Sequence, residues 1–193
     1  MIPLLLSEIA QAVDGKLVGD DKTINQLVTD SRALNAGDAF LALKGVNFDG
    51  HRFLQQVIQG GCSAVVVDHD CQLNIPQIVV ADTHQALGKI GAYVKAKVAP
   101  KTVAITGSSG KTTVKEMVAA ILARLGNVLA TQGNFNNDIG VPLTLLRLEE
   151  QHDFAVVELG ANHMGEIAYT SDLVKPDVAI INNIAAAHLE GFG

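Results

Sequence analysis

The second half of the chain alternates short apolar segments with segments of helical periodicity, and this alternation limits its fold more than any other feature. The apolar segments are "KTVAITG", "NVLA", "DFAVVELG" and "DVAIINN". Strands that alternate with helices are typical of a parallel sheet that is covered by helices on both faces. We therefore predict parallel strands in these segments and helices over residues 83–98, 111–125, 141–148 and 165–174.

The first 82 residues carry shorter elements, separated by glycine, proline and a "NAGD" turn. We predict helices over 7–13, where Ser7 would cap the first turn, and over 53–58. Apolar runs predict strands over 24–29 and 39–43, and within "SAVVVD" and "PQIVVAD". The predicted fold class is α/β. A small mixed α/β domain spans 1–82, and a parallel-sheet domain over 83–193 has too few strands to be more than the first half of such a domain.

Composition and charge narrow the range of partners. The chain has 14 Lys and Arg against 20 Asp and Glu, a formal net charge of −6, so it lacks the basic surface that nucleic acids require. No stretch approaches the roughly 20 apolar residues of a membrane span, and the N-terminus lacks the basic lead of a secretory signal. Cys62 and Cys71 match no metal or redox spacing, as in many proteins of the reducing cytoplasm. We expect a cytoplasmic protein with a small-molecule partner.

The stretch "VAITGSSGKTTVKEM" places a glycine-rich turn between a predicted strand and a predicted helix. Amides of such a turn and the helix N-terminus bind phosphate groups, and a lysine at the helix start neutralises them. The common pattern GxxxxGK[ST] would place a glycine where this chain has Ile105, and Gly107 is present instead. We predict a shortened phosphate loop in which Lys111 faces the β- and γ-phosphates and Thr112 binds Mg²⁺. A glycine-rich turn with an exposed lysine is the alternative.

Glu158 ends the predicted strand in "FAVVELGANH", where a buried carboxylate is costly unless it holds a cation or a proton. Ligands of open α/β sheets gather at this edge, so Glu158 is a candidate Mg²⁺ ligand. His188 follows the next strand and would emerge at the same edge. An acid at a fraying strand end and a hydrogen-bonded surface histidine are the alternatives.

The loop "TQGNFNNDIGVP" contains three asparagines within four residues, which offer neutral donors and acceptors. Because it follows a strand of the same sheet, we predict that this loop, with Asn134, Asn136 and Asn137, contacts substrate or phosphate. A connection that is rich in turns would have a similar composition.

These segments together resemble the Mur ligases of bacterial cell-wall synthesis. The resemblance rests on "TDSRALNAGDAFLALKGVNFDGHRF", "TGSSGKTT", "GNFNNDIGVPLTLL", "ELGANHMGEI" and "NNIAAAHLEGFG", which cover nearly all of the chain in order. It implies that the ATP γ-phosphate passes to the terminal carboxylate of a UDP-sugar peptide, and that an amine attacks the acyl phosphate to form an amide. These motifs are most similar to those of the family member that joins D-Ala-D-Ala to UDP-MurNAc-tripeptide. We expect the protein to be a monomer.

The resemblance also implies residue roles. ATP would be bound by the loop residues Gly107, Ser108, Ser109, Gly110, Lys111, Thr112 and Thr113. Thr112, Glu158 and His188 would hold the metal ions, and Lys111, Glu158 and His188 would form the catalytic group. Asn134 and Asn137 would lie on the path of the nucleotide and the sugar peptide.

In the first domain, the resemblance places Ser31, Arg32, Asp49 and His51 at the uridine diphosphate. From the residues alone, Arg32 and Asp49 could equally be a solvated surface pair.

Several alternatives stay open. Another ligase of the superfamily, MurE-like or folylpolyglutamate-synthetase-like, would share these motifs, and so would a UDP-sugar and nucleotide binding module without catalysis. A kinase or GTPase would have the longer phosphate loop, and a GTPase would add an NKxD motif. Family members carry a lysine beyond the histidine motif and a third domain. Because neither follows Gly193, we expect the 193-residue chain by itself to bind ligands without completing the reaction.

Overall fold

The computed structural model describes residues 1–185 of the chain. Proximity of Cα atoms divides the chain into two compact units, Met1–Ile90 and Gly91–Gly193. The division falls inside a helix that begins at Thr83, and the functional boundary near residue 82 stays a prediction. Within residues 1–185, no helix has both the length and the apolar character needed to cross a membrane.

The first unit is a small mixed α/β structure, as the sequence predicts. Its helices are α1 (Leu6–Ala12), α2 (Leu54–Gln59) and α3 (Thr83–Val98), the last of which continues into the second unit. Its strands are β1 (Leu4–Leu5), β2 (Lys16–Val18), β3 (Thr23–Ile24), β4 (Leu27–Val28), β5 (Ala39–Leu41), β6 (Ala64–Val67) and β7 (Gln77–Val79).

A five-stranded sheet forms the centre of this unit, in the order β2-β7-β6-β5-β4, and only β2 runs antiparallel to its neighbour. Strands β1 and β3 form a separate antiparallel pair. Phe40, Val65 and Val67 from the sheet pack with Leu54 and Val57 of α2 in a buried cluster. This packing stabilises the sheet against α2 through burial of apolar surface.

The second unit is a parallel α/β sheet, which confirms the predicted alternation. Its strands are β8 (Lys101–Thr106), β9 (Val128–Ala130), β10 (Phe154–Glu158) and β11 (Val178–Ile181), and its helices are α4 (Lys111–Leu122), α5 (Gly140–Leu145) and α6 (Glu166–Val174). The strand order is β11-β8-β10-β9 and every pairing is parallel.

The register of this sheet brings the strand ends together. Glu158 at the end of β10 pairs with Ile105 of β8, and Ile181 at the end of β11 pairs with Thr106. The segments that follow β8, β10 and β11 therefore leave the sheet at one edge, where open α/β sheets bind their ligands.

Several predicted elements differ from the structure. The helix predicted over 141–148 ends at Leu145, because the amides of Arg147 and Leu148 bond to carbonyls three residues back. The helix predicted over 111–125 ends at Leu122, because the amides of Arg124 and Leu125 bond to carbonyls three residues back and turn the chain. The strand predicted over 24–29 is two strands, since β3 pairs with β1 whereas β4 pairs with β5. Ser7 does not cap α1, which begins at Leu6 with the Glu8 carboxylate accepting the Leu5 amide at 2.9 Å.

Candidate functional site

The turn after β8 has the backbone that a phosphate loop needs. Gly107 and Gly110 have φ angles of 140° and 72°, which residues other than glycine rarely adopt. A Cβ atom on Gly107 would lie 3.0 Å from the backbone of Asn183, and one on Gly110 would lie 2.8 Å from the side-chain nitrogen Nδ2 of Asn182. Both positions therefore favour glycine, because of their backbone φ angles and because neighbouring atoms lie close to where a Cβ atom would be.

Two asparagines after β11 hold the loop in place. The Ser108 amide donates to the Asn183 carbonyl and the Ser109 amide to Asn183 Oδ1, both at 3.0 Å. Asn182 Nδ2 and Asn183 Nδ2 donate back to the Ser109 carbonyl at 2.7 and 2.9 Å. This corrects the expectation that every amide of the loop faces a ligand, because those of Ser108 and Ser109 are bonded within the protein.

The start of α4 supplies the remaining anion-binding groups. A helix leaves its first amides without a carbonyl one turn earlier, and its dipole favours negative charge there. Lys111 is the first residue of α4, and its Nζ donates to the Gly107 carbonyl at 2.7 Å. The lysine thus curls over the loop, within reach of an anion at the helix start.

Glu158 and Thr112 meet in this structure, as predicted. Thr112 Oγ1 donates to Glu158 Oε2 at 3.0 Å, and Asn136 Nδ2 donates to Oε1 at 2.8 Å. Glu158 is only 2% exposed, and both of these donors are neutral. A buried carboxylate beside a hydroxyl, without a basic partner in these two hydrogen bonds, is a donor set that suits a hard divalent cation.

The three asparagines of the loop that follows β9 make different contacts. Asn134 lines the cavity at the loop, and Asn136 contacts Glu158. Asn137 instead accepts the Gly140 amide through Oδ1 at 2.7 Å, so it holds the start of α5. The structure thus places Asn134 at the site and gives Asn137 a structural contact.

We call the group of residues around this edge the phosphate-loop site. It encloses about 430 Å³, and Thr113 is exposed just outside it on α4. The cavity is lined by Ser108, Ser109, Gly110, Lys111, Thr112, Asn134, Asn136, Glu158, Gly160, Ala161 and Asn162. His188, predicted at the same edge, lies outside the described residues.

Sequence reasoning missed a buried lysine behind this site. Lys115 is 2% exposed, and its Nζ donates to the Thr131 carbonyl at 2.6 Å and pairs with Glu116 at 2.8 Å. Thr131 Oγ1 in turn accepts the Glu158 amide at 3.0 Å. Lys115 lies four residues after Lys111, one helical turn further along α4, and this spacing was the available signal.

The first unit has a cavity of its own, of about 630 Å³, which we call the N-terminal cavity. It is lined by Thr29, Asp30, Ser31, Arg32, Phe40, Phe48, Phe53 and Gln56. Phe48 and Phe53, which the sequence analysis did not single out, stack with ring centroids 5.8 Å apart. Ser31 and Arg32 thus share a cavity with an aromatic pair.

Arg32 is held by Asp30 in the N-terminal cavity. Its Nε and Nη2 donate to the two oxygens of Asp30 at 2.9 and 2.7 Å. The hydrogen bonds from the Arg32 side chain and amide lower the pKa of Asp30 to about 2. Two of the five N–H groups of the guanidinium are used in this way, so three stay available to an anion.

Asp49 and His51 do not line the N-terminal cavity. Asp49 caps a short 3₁₀ turn over Gly50–Phe53 by accepting the His51 amide at 3.0 Å. Its Oδ1 also lies 2.7 Å from His51 Nδ1, and hydrogen bonding to His51 holds the pKa of the Asp49 carboxyl below its usual range. Arg32 and Asp49 therefore do not form the surface pair that the sequence left open; Arg32 pairs with Asp30.

Comparison with known proteins agrees with this geometry. The model of the Mur ligase family catalytic domain matches residues 23–124, and that of the Mur ligase middle domain matches residues 105–193. The chain belongs to the Mur ligase family. The family models cover both the N-terminal cavity and the phosphate-loop site.

Among individual family members, the UDP-N-acetylmuramoyl-tripeptide–D-alanyl-D-alanine ligase of Escherichia coli is 52% identical over 193 residues, which are all of this chain and 43% of that protein. A crystal structure of MurF from Acinetobacter baumannii aligns with a TM-score of 0.94 at 50% identity, over 98% of this chain and 43% of the other. MurF ligase from Thermotoga maritima, solved in complex with ADP, aligns at 0.78 and 32% identity, over 85% and 38%. The chain thus spans less than half the length of these relatives.

Proposed function

We propose that the protein is an ATP-dependent ligase of peptidoglycan precursor synthesis that joins D-Ala-D-Ala to UDP-MurNAc-tripeptide in the cytoplasm, as a monomer. The observation that carries the proposal is the buried Glu158 against Thr112 beside the phosphate loop, in a chain 52% identical to such a ligase. The substrate and the amine are those of the Escherichia coli ligase. UDP-sugar recognition is assigned to residues 1–82 and ATP binding to residues 83–193.

ATP would lie with its phosphates at the phosphate-loop site. The first amides of α4 and the Lys111 ammonium face the position of an anion there, and the Thermotoga maritima relative was solved with ADP. The cavity beside Gly110, Lys111 and Thr112 provides space at the helix start for a polyphosphate chain.

Thr112 and Glu158 would hold Mg²⁺, because their oxygens lie 3.0 Å apart and hard cations prefer such ligands. When bound, Mg²⁺ neutralises phosphate oxygens and so lowers the repulsion that an attacking carboxylate meets. Asn136 keeps Glu158 oriented through its 2.8 Å hydrogen bond. A role for His188 at this metal stays a prediction.

The reaction needs no side-chain nucleophile. The substrate carboxylate attacks the γ-phosphorus, the bond to the β-phosphate oxygen breaks, and ADP leaves; the amine then attacks the acyl carbon and phosphate leaves. Lys111 would neutralise the charge that gathers on the transferred phosphoryl group. The site therefore contributes by positioning the reacting groups and by neutralising the charge of the phosphates.

The UDP end of the sugar peptide would occupy the N-terminal cavity. The exposed ring of Phe48 offers a stacking surface for a uracil base, and Arg32 offers three further N–H groups to a diphosphate. Ser31 adds a hydroxyl beside it. Direct contact of Asp49 and His51 with UDP stays a prediction, since neither lines the cavity.

Calorimetric titration tests the proposal with the chain as it stands. UDP-MurNAc-tripeptide and Mg-ATP should each bind at one site. A kinase would bind Mg-ATP and ignore the UDP-sugar. Failure of either ligand to bind would contradict the proposal.

A further inference from the structure

A cluster of potential metal ligands lies in the first unit, outside both sites described above. Its members are His51, Asp68 and His69, and one ligand atom from each lies within 4.8 Å of the other two. His51 Nε2 is 3.1 Å and His69 Nδ1 is 2.5 Å from the same oxygen, Asp68 Oδ1. We call these three residues the histidine–aspartate cluster.

The fold brings this cluster together from two separate segments. His51 belongs to the 3₁₀ turn over Gly50–Phe53, and Asp68 follows directly after the buried strand β6. The Asp68 amide donates to His51 Nε2 at 3.2 Å, which ties the turn to the strand end. The 3₁₀ turn and the end of β6 therefore hold His51 and Asp68 next to each other.

The hydrogen bonds of His51 fix which of its nitrogens can bind a cation. Because Nε2 accepts the Asp68 amide, it carries a lone pair, and the ring proton lies on Nδ1. Nδ1 then donates to Asp49 Oδ1 at 2.7 Å. A carboxylate that orients a histidine through its far nitrogen is the usual second shell of a histidine-bound metal ion, and it raises the basicity of the ligating nitrogen.

A cation at this cluster would replace two hydrogen bonds, the one that His51 Nε2 accepts from the Asp68 amide and the one between His69 Nδ1 and Asp68 Oδ1. Lys44 Nζ binds Asp68 through Oδ2, at 3.1 Å, so Oδ1 stays directed at the two histidines. The His51 side chain is 9% exposed and that of Asp68 is 18% exposed, whereas that of His69 is 64% exposed. A cation can therefore enter from the His69 side, with water completing its coordination.

We propose that His51, Asp68 and His69 form a binding site for a divalent transition-metal ion of the Zn²⁺ class. Two imidazole nitrogens and one carboxylate oxygen are ligands that suit Zn²⁺, Co²⁺ or Ni²⁺, whereas Mg²⁺ and Ca²⁺ prefer oxygen alone. Three protein ligands leave a fourth position open, as in zinc sites that bind water or a substrate group. The proposal is separate from the proposed ATP binding, since it uses no residue of the phosphate-loop site. It assigns to a metal site His51 and Asp49, for which contact with UDP is predicted from the resemblance alone.

Titration with Zn²⁺ and Co²⁺ tests this site directly. The nucleotide-free full chain should bind one Zn²⁺, and Co²⁺ at the same site should give visible absorption bands of histidine-ligated Co²⁺. His69→Ala should weaken binding by at least about tenfold, and Asp49→Asn, which alters the second shell, by about 10- to 100-fold. Because His69 is largely exposed, His69→Ala should keep the fold, and circular dichroism checks this.

Matched controls separate this site from other histidines, charges and thiols. His152→Ala removes a histidine of the second unit, and Asp70→Asn removes a neighbouring negative charge; both should leave Zn²⁺ affinity within about twofold. A tenfold excess of Mg²⁺ should not displace the ion. No Zn²⁺ binding below millimolar concentration overturns the assignment, and so does binding that survives His69→Ala but disappears in Cys71→Ser.

Discussion

The phosphate-loop site and the N-terminal cavity are assembled in different ways. The first takes its groups from the carboxyl edge of one parallel sheet, where Glu158, 2% exposed, lies against Thr112. The second takes them from turns around an aromatic pair, and its cation, Arg32, is 85% exposed and already paired with Asp30. The fold thus fixes Glu158 against Thr112, whereas Arg32 lies in an exposed ion pair that leaves three of its N–H groups unused by Asp30.

The comparison predicts the largest effect for loss of charge at the phosphate-loop site. Glu158→Gln keeps the size of the side chain but removes the negative charge that would hold Mg²⁺. We expect Mg-ATP affinity to fall by about 100-fold and to lose its dependence on Mg²⁺, because the cation contributes several kcal/mol to binding charged phosphates. Calorimetry with and without Mg²⁺ measures this, and an unchanged Mg²⁺ dependence would remove Glu158 from the metal site.

Gly110→Ala tests whether the loop backbone is as constrained as its geometry indicates. The new Cβ would lie 2.8 Å from Asn182 Nδ2 at a φ of 72°, so we expect a loss of about 1–3 kcal/mol in unfolding free energy. Gly133→Ala is the matched control, since Gly133 also has positive φ but open space around it. Chemical denaturation compares them, and equal losses would show that the Asn182 contact has no energetic role.

Lys115→Met tests the support behind the site. The substitution removes the ammonium with little change in volume and leaves the buried Thr131 carbonyl without this donor, which costs about 1–3 kcal/mol. Exposed Lys101→Met should change stability by less than about 0.5 kcal/mol. If denaturation gives the same small value for both variants, Lys115 is not holding Thr131.

The smallest effect is expected at the exposed pair of the N-terminal cavity. The Asp30 carboxyl should titrate with a pKa of about 2, and Arg32→Ala should return it toward the ordinary value of 3.8. A depressed pKa in the folded state stabilises the fold above pH 3.8, and this contribution is lost as pH falls toward 2. Carboxyl ¹³C shifts report the titration, and a wild-type pKa near 3.8 would show that the pair does not persist in solution.

The difference between the phosphate-loop site and the N-terminal cavity also explains which of their features could be predicted from the sequence. The alternation of strands and helices and the GKTT motif predicted the parallel sheet and the glycine-rich turn before α4, and they placed Thr112 and Glu158 at the same edge, because sheet register aligns the strand ends. Phosphate binding by this turn stays a prediction. Asn183 and Lys115 were not predicted because their contacts, with Ser109 and Thr131, join separate segments of the chain. The stacking of Phe48 on Phe53 depends on how the turn between them folds, which composition does not determine. The separate roles of Asn136 and Asn137 depend on how one loop turns, which composition does not determine.

Crossed calorimetry on two variants tests the central claim that one chain carries two separate ligand sites. Lys111→Ala should weaken Mg-ATP binding by more than about tenfold and leave UDP-MurNAc-tripeptide affinity unchanged, because Lys111 lines the phosphate-loop site and not the N-terminal cavity. Arg32→Ala should do the reverse, since Arg32 lines the N-terminal cavity. Loss of both ligands in either variant, or of neither ligand in both, would contradict the account.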